Sequence, residues 1–428
     1  MYPCVCAVWE VRRHDPVIRA MKKALLFRVV VLLVALAAAE GIVRLGVKWI
    51  PEPDGSLTEP AYSATLTPAQ REIIQTRILA DKTEYIDFSA ELGWTIKPNG
   101  QSPLYRANSH GFRGDRDYAL HPDASVLRIA AFGDSYTHGD DVSDTDTWES
   151  QLERMTARLE VLNFGVGGYG TDQALLRYER DGVSFHPRVV LLGFLPENIA
   201  RLVSVFRPFY YPNTGILMSK PRFTIRSGEF ALLPNPIQTR ERYAALLTDT
   251  ANELSRLGEH DYHYQRSYHY WWGDRLASVR LARVITSHAA LRRARSDDLD
   301  LDGHFNPDSE AFKILTRIVA RFRDAVITAG SRPIVVILPD QTDLQAYLAS
   351  GSKRYEPLLA FLQSQSMEFI DLMGAFANYA KDKPVPSLFT GGHYSPLGNG
   401  VVAGQLANYL TARGLISSVA PPATQRHQ

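Results

Sequence analysis

The sequence predicts a doubly wound α/β domain with a parallel sheet, exported behind a single N-terminal membrane helix. Three observations carry this. Five short apolar runs bounded by Gly or Pro, at 126–132, 159–164, 189–194, 333–338 and 367–372, read as strands buried on both faces. Amphipathic helical patterns fill the intervals between them, and strands alternating with helices build α/β layers. One strongly apolar stretch, 24–47, lies near the N-terminus behind a basic flank.

That stretch comes first in chain order. Arg12, Arg13, Arg19, Lys22 and Lys23 precede it, so the positive-inside bias keeps 1–23 in the cytoplasm and exports the rest. Its uninterrupted heart, 29–39, is short against the roughly 20 residues a spanning helix needs. Arg28 and Arg44 can snorkel to opposite interfaces, which favours an uncleaved single-pass anchor in the inner membrane, with Glu40 as a cost. The competing outcome is cleavage of a signal peptide after Ala37-Ala38-Ala39. Met21-Lys22-Lys23 also reads as a second start.

The next segment, 48–124, is polar and turn-rich and reads as a stalk or small lobe. Within it, 93–100 suggests a short strand and turn, and Arg113-Gly114-Asp115 is a chance adhesion-like triplet. The α/β domain is expected over 125–417, with one helix starting near Asp146 through a capping box to Glu149. A second helix, 311–329, is apolar at Phe312, Leu315, Ile318, Val319 and Phe322 and stops at Gly330. The last is capped by Ser395 with Pro396 in its first turn. The gap between the third and fourth strands implies an insertion, about 201–306, rich in aromatics (Tyr262, Tyr264, Tyr268, Tyr270, Trp271, Trp272) and then arginines. A helical cap is the reading for it. Residues 418–428 form a polar tail.

Composition closes off several function classes. With 45% hydrophobic and 22% charged residues the chain is neither disordered, collagenous nor polytopic, and 47 Lys+Arg against 46 Asp+Glu argue against a nucleic-acid surface covering the molecule. The two cysteines are Cys4 and Cys6, so no disulfide framework, thiolate zinc site or cysteine nucleophile is available beyond residue 6.

Chemistry concentrates where strands end. The first runs into Gly133-Asp134-Ser135-Tyr136-Thr137-His138-Gly139, placing a serine at the carboxyl edge where open α/β sheets bind ligands. The second ends in Asn163-Phe164-Gly165-Val166-Gly167-Gly168, a turn able to aim N–H groups at a developing oxyanion. The third ends near Asn198, whose amide could add a donor. Gly391-Gly392-His393-Tyr394-Ser395-Pro396 sets an imidazole just before the final helix.

These four blocks resemble the SGNH, or GDSL-like, esterase/acylhydrolase family over about 126–414 without the insertion. The apolar N-terminus, the Trp94 stretch and Ser109-His110-Gly111-Phe112-Arg113-Gly114 look like a membrane-anchored bacterial subgroup. The resemblance implies a flavodoxin-like sheet, Ser135 as nucleophile and His393 as general base. It implies an oxyanion hole from the Ser135 N–H, the Gly168 N–H and the Asn198 side chain. The cycle would be acylation of Ser135, then deacylation by water or an acceptor alcohol. Two positions depart from the family pattern. Glu197 and Ile199 flank Asn198 where glycine and aspartate are usual, and Gly391 and Thr390 stand where an aspartate should orient the histidine. Asp340, at the end of the fourth strand, is the substitute considered.

Other motifs are decoys on this reading. Gly165 to Gly170 fits G-x-G-x-x-G but follows the second strand. Asp298 to Gly303 starts like a calcium loop, yet Ser309 stands at its twelfth position. His304 imitates the last block but precedes two strands; His260, His263 and His269 read as cap residues. The expected function is hydrolysis of O-acyl, in the first instance O-acetyl, esters on an extracytoplasmic glycan or lipid, without cofactor, metal or nucleic acid. An O-acetyltransferase using the same site and a catalytically silent envelope scaffold are the alternatives.

Overall fold

The computed structural model describes residues 16–47, 65–267, 276–279, 281, 282 and 299–417, which fall into two compact units. The first holds helix α1, Pro16–Val47, with 276–279, 281 and 282. Its Ala20–Gly46 stretch has mean hydropathy 2.3 and is long and apolar enough to cross a membrane. Glu40, the expected cost, is well provided for within this unit. Its carboxylate pairs with Arg44 at 2.8 Å and accepts from the Ala277 N–H at 2.5 Å and the Ser278 hydroxyl at 2.7 Å. The arginine-rich part of the insertion and Tyr268, Tyr270, Trp271 and Trp272 lie outside the described residues, as do Cys4 and Cys6.

The second unit is built on five parallel strands: β1 Leu127–Phe132, β2 Leu159–Asn163, β3 Val189–Phe194, β4 Arg332–Ile337 and β5 Phe369–Asp371. Their order is β2-β1-β3-β4-β5, the flavodoxin-like order expected. Every residue of β1 and β3 is buried, so neither alternates: β3 is apolar throughout, and β1 is apolar but for Arg128, which pairs with Glu160 at 2.7 Å. β1 lies between β2 and β3, pairing Ala131 with Asn163 and Phe132 with Leu192. Connections leave it in opposite directions there, opening a crevice at the carboxyl ends.

Helices cover the sheet on both faces. The one relevant to the sequence pattern is Glu310–Thr328, whose apolar stripe Phe312, Leu315, Ile318, Val319 and Phe322 is buried. Burial contributes about 1.5–3 kcal/mol for each such side chain. The helix is capped by Ser309, which accepts from the Phe312 N–H at 3.1 Å. The helix expected to begin near Asp146 instead spans Trp148–Met155 and is capped by Thr147; Asp146 ends a preceding 3-10 turn, and Glu149 turns inward and is buried.

The segment read as a stalk or lobe packs from Leu66 onward. Ile86–Ser89 and Gly93–Ile96 form an antiparallel hairpin, and Trp94 and Ile96 share a second apolar cluster with Val166, Tyr169 and Phe206. Among its described residues the insertion carries a β-hairpin beside its helices. Arg222–Arg226 and Glu229–Leu233 pair around Ser227-Gly228, both at positive φ (51° and 83°), the geometry of a two-residue hairpin turn. The calcium-like loop is another such turn: Asp302 and Gly303 (φ 52° and 82°) join Asp300–Leu301 to His304–Phe305.

Candidate active site

The chain leaves β1 through Gly133 into the short helix Ser135–His138. Asp134 caps it, accepting from the Tyr136 N–H at 2.9 Å, and is fully buried. Burial pushes the Asp134 carboxyl above its ordinary range, only partly opposed by Arg201, whose guanidinium lies 3.5 Å away. Ser135, the next residue, is 6% exposed at the carboxyl edge of the sheet.

His393 approaches from the other end of the chain. Phe389–Thr390 and His393–Tyr394 pair as two short strands ahead of the final helix, Pro396–Ala412, which Ser395 caps as expected. Tyr136 locates this segment beside Ser135. Its hydroxyl donates to the Gly392 carbonyl at 2.8 Å, and its ring stands 5.2 Å from the His393 ring and 4.8 Å from Tyr394.

The carboxylate that meets His393 is that of Asp141, which the sequence reading missed. Its Oδ2 lies 2.6 Å from His393 Nδ1. Asp340, the residue considered for that role, instead caps Gln341–Ser350, accepting from the Asp343 N–H at 2.7 Å. The glycine found where an aspartate was expected explains the exchange: a Cβ on Gly391 (φ 58°) would sit 2.4 Å from Asp141 Oδ2. The carboxylate fills the volume that the missing side chain leaves. Asp141 itself is left-handed (φ 70°), a conformation that Asp and Asn tolerate better than most residues. The usable signal was the Asp140-Asp141 doublet after the serine, read together with Gly391.

Arg113 holds this loop. The guanidinium, 5% exposed, donates to the carbonyls of His138 at 2.7 Å, Gly139 at 2.5 Å and Val142 at 2.7 Å, and pairs with Asp144 at 3.0 Å. Spent this way, it cannot present an adhesion tripeptide. Asp140, the neighbour of Asp141, turns inward to Nδ1 of His138, whose Nε2 meets the Tyr85 hydroxyl at 2.6 Å. Burial holds His138 below its usual range and so neutral. For Asp140, burial acts upward but the His138 contact outweighs it, keeping the carboxylate ionised.

The glycine turn after β2 is tied to the serine helix by Asn163. Its Nδ2 donates to the Thr137 and His138 carbonyls at 3.0 and 3.1 Å, and its Oδ1 accepts from the Gly165 N–H at 3.0 Å. Trp94 Nε1 donates to the Gly167 carbonyl at 3.0 Å. Because the peptide is planar and trans, this turns the Gly168 N–H away from Trp94. No described residue accepts from that N–H. Gly168 is at φ 80°, where a side chain would be strained and would collide with Ile216. Asn198 begins the short helix after β3, and its Oδ1 is buried without a hydrogen-bond partner among the described residues.

Thus Ser135, Gly168 and Asn198 follow three adjacent strands, β1, β2 and β3, and His393 joins them through Tyr136. Neither Ser135 Oγ nor His393 Nε2 is bonded to a described residue or to the other. Both are open to a ligand, and such contacts commonly tighten only when substrate is bound. His304 bonds Ser352 Oγ at 2.8 Å and His263 the Ala200 carbonyl at 3.0 Å, each away from this cluster's hydrogen bonds.

No protein-family model and no curated protein matches the sequence. Among solved structures, the chain is similar to a member of the lipolytic G-D-S-L family from Veillonella parvula, at 11% identity and TM-score 0.34 over 66% of this chain and 98% of that one. A lipase/acylhydrolase from Enterococcus faecalis aligns at 13% identity and TM-score 0.32, over 67% and 97%. A GDSL-like lipase from Bacteroides thetaiotaomicron aligns at 9% and 0.31, over 68% and 91%.

Proposed function

We propose that this chain is a serine ester hydrolase of the SGNH/GDSL type, acting outside the cytoplasm on O-acyl, in the first instance O-acetyl, esters of a glycan or lipid. One observation carries the reading: the Asp141 carboxylate 2.6 Å from His393 Nδ1, on the loop that directly follows Ser135. It supplies the anionic orienter whose absence from the last sequence block motivated the silent-scaffold alternative.

The carboxylate fixes the tautomer. Nδ1–H donates to Asp141, leaving the Nε2 lone pair free to take the Ser135 hydroxyl proton as Oγ attacks the ester carbonyl. Negative charge then develops on the carbonyl oxygen, and the N–H groups of Ser135 and Gly168 with the Asn198 amide are the donors for it. The imidazolium returns its proton to the leaving alkoxide. Water, deprotonated by the same Nε2, releases the acid and regenerates Ser135. An acceptor alcohol in place of water would turn the same site into a transferase. Helix α1 supports an N-in anchor, which leaves this site on the far side of the inner membrane.

The test compares aryl-acetate hydrolysis by the full chain in detergent with that of Ser135→Ala. A loss of at least about 10³-fold is expected; equal rates would refute the assignment. Adding an oligosaccharide acceptor and looking for acyl transfer separates the two nucleophiles. N-terminal sequencing of the mature protein checks the anchor, because a start at Glu40 would mean cleavage.

A further inference from the structure

Three arginines stand around the loops that follow β2 and β3, and their partners differ. Arg201 is buried between Glu197, at 2.7 Å, and Asp134, at 3.5 Å. Arg354 lies 3.9 Å from both Asp300 and Asp343. Arg207 has no carboxylate within ion-pair distance among the described residues. Its one hydrogen bond there runs from Nη1 to the Gly168 carbonyl at 3.2 Å, and its Nε is buried with no partner.

Arg207 is also placed by its surroundings. The guanidinium carbon lies 5.4 Å from the centre of the Tyr211 ring and 5.8 Å from that of Tyr210. Nη1 would be 2.9 Å from a Cβ on Gly168, so the cation lies against the backbone of the residue whose N–H is proposed as an oxyanion donor. A half-buried guanidinium has lost much of its hydration, and with Glu197 and Asp134 acting on it only from beyond ion-pair distance that loss is only partly compensated. Burial and the neighbouring Arg201 cation lower its pKa, and Tyr210, Glu197 and Asp134 oppose them only in part. Planar, end-on donors are suited to carboxylate or phosphate oxygens.

We propose that Arg207 binds an anionic group carried by the substrate, so that the esters taken at Ser135 bear a carboxylate or phosphate close to the scissile acyl group. This deepens the hydrolase reading and rests on it. A neutral ester would leave the cation only partly compensated when it closes over the loop. An ester with an oxyanion would satisfy it and be held against Gly168.

The experiment measures kcat/KM of the full chain on matched esters. They are p-acetoxybenzoate against its methyl ester, p-acetoxyphenyl phosphate, and mono-p-nitrophenyl glutarate against p-nitrophenyl acetate. The first pair and the phosphate place the anion on the alcohol side, and the glutarate places it on the acyl side. At least one anionic ester should exceed its neutral partner by about 10-fold or more, chiefly through KM. That ratio should collapse toward one in Arg207→Gln and be partly kept in Arg207→Lys. A ratio near one in the parent protein, or one unchanged in Arg207→Gln, overturns the proposal. If no ester is hydrolysed the hydrolase reading fails, and the subsite is judged separately by NMR-detected binding of p-fluorobenzoate and phenyl phosphate. Binding lost in Arg207→Gln supports it, and absent or equal binding overturns it.

Discussion

Two histidine–carboxylate pairs lie side by side at the carboxyl edge of the sheet, and consecutive residues supply their acids. Asp140 serves His138 and Asp141 serves His393, each through Nδ1. Chemically the pairs are the same. They differ at the other nitrogen: His138 Nε2 is closed off by the Tyr85 hydroxyl at 2.6 Å inside the core, whereas His393 Nε2 meets no described residue. An oriented imidazole becomes a base only when the far side of the ring is left open. The first pair is closed on both sides, and the second keeps free the nitrogen that the proposed mechanism uses. A third acid in the same corner, Glu149, has no hydrogen-bond partner of good geometry for its carboxylate among the described residues, although Thr147 and Asn163 lie beside it.

The sharpest way to break this comparison is to remove one charge from each pair. Asp141→Asn should lower kcat by about 10³–10⁴-fold, the size of the tautomer effect known for the serine-protease triad, in a protein that still folds, because Asn tolerates the left-handed backbone at that position. Asp140→Asn should do the reverse. Losing the hydrogen bond between the neutral imidazole and a buried carboxylate costs about 1.5–3 kcal/mol in urea unfolding, while kcat of the folded fraction falls less than about 10-fold. Equal kcat losses in the two variants would mean that both histidines act in the reaction.

Glu149 tests the partnerless case through pH. Burial raises its carboxyl well above the usual value, so the folded state binds a proton that the unfolded state has released. The stability this contributes is fully present below the unfolded value, 4.5, and is lost as pH rises through the folded one. Parent stability should therefore fall with rising pH by up to about 1.4 kcal/mol per unit within that window, and Glu149→Gln should remove the slope. Unfolding curves at several pH values check it; parallel dependences would show that Glu149 does not hold the proton. The smallest effect expected is that of Tyr85→Phe. Burial keeps this phenol protonated as a donor, and its loss leaves His138 Nε2 unsatisfied at about 1–3 kcal/mol. The thermal midpoint reads this, with aryl-acetate kcat as the control.

The sheet was legible because strands buried on both faces are apolar over most of their length, so runs such as Val189–Phe194 stand out without any partner being known. Ser135 and His393 were legible as short blocks next to strand and helix ends. Asp141 was not. Its partner is 252 residues away, and no local period reports a contact of that range. Asp340 looked better placed because it ends a strand, but the first use of an aspartate there is to cap the helix that follows. The hairpin in the insertion was overlooked for another reason. The aromatics around it drew the reading toward a helical cap, although Ser227-Gly228 between alternating residues is a turn signal.

The clamp on the Asp141 loop bears on where the functional module begins. Every strand of the sheet and all the proposed reacting groups lie after residue 126, so a cut there would look harmless. Yet Arg113, which holds the carbonyls of His138, Gly139 and Val142, and Tyr85, which closes the inner histidine, both precede the cut. Trp94, which sets the Gly167 peptide, precedes it too. A polypeptide starting at 127 would keep the reacting groups and lose what aligns them. A polypeptide that keeps all three has to start before Tyr85.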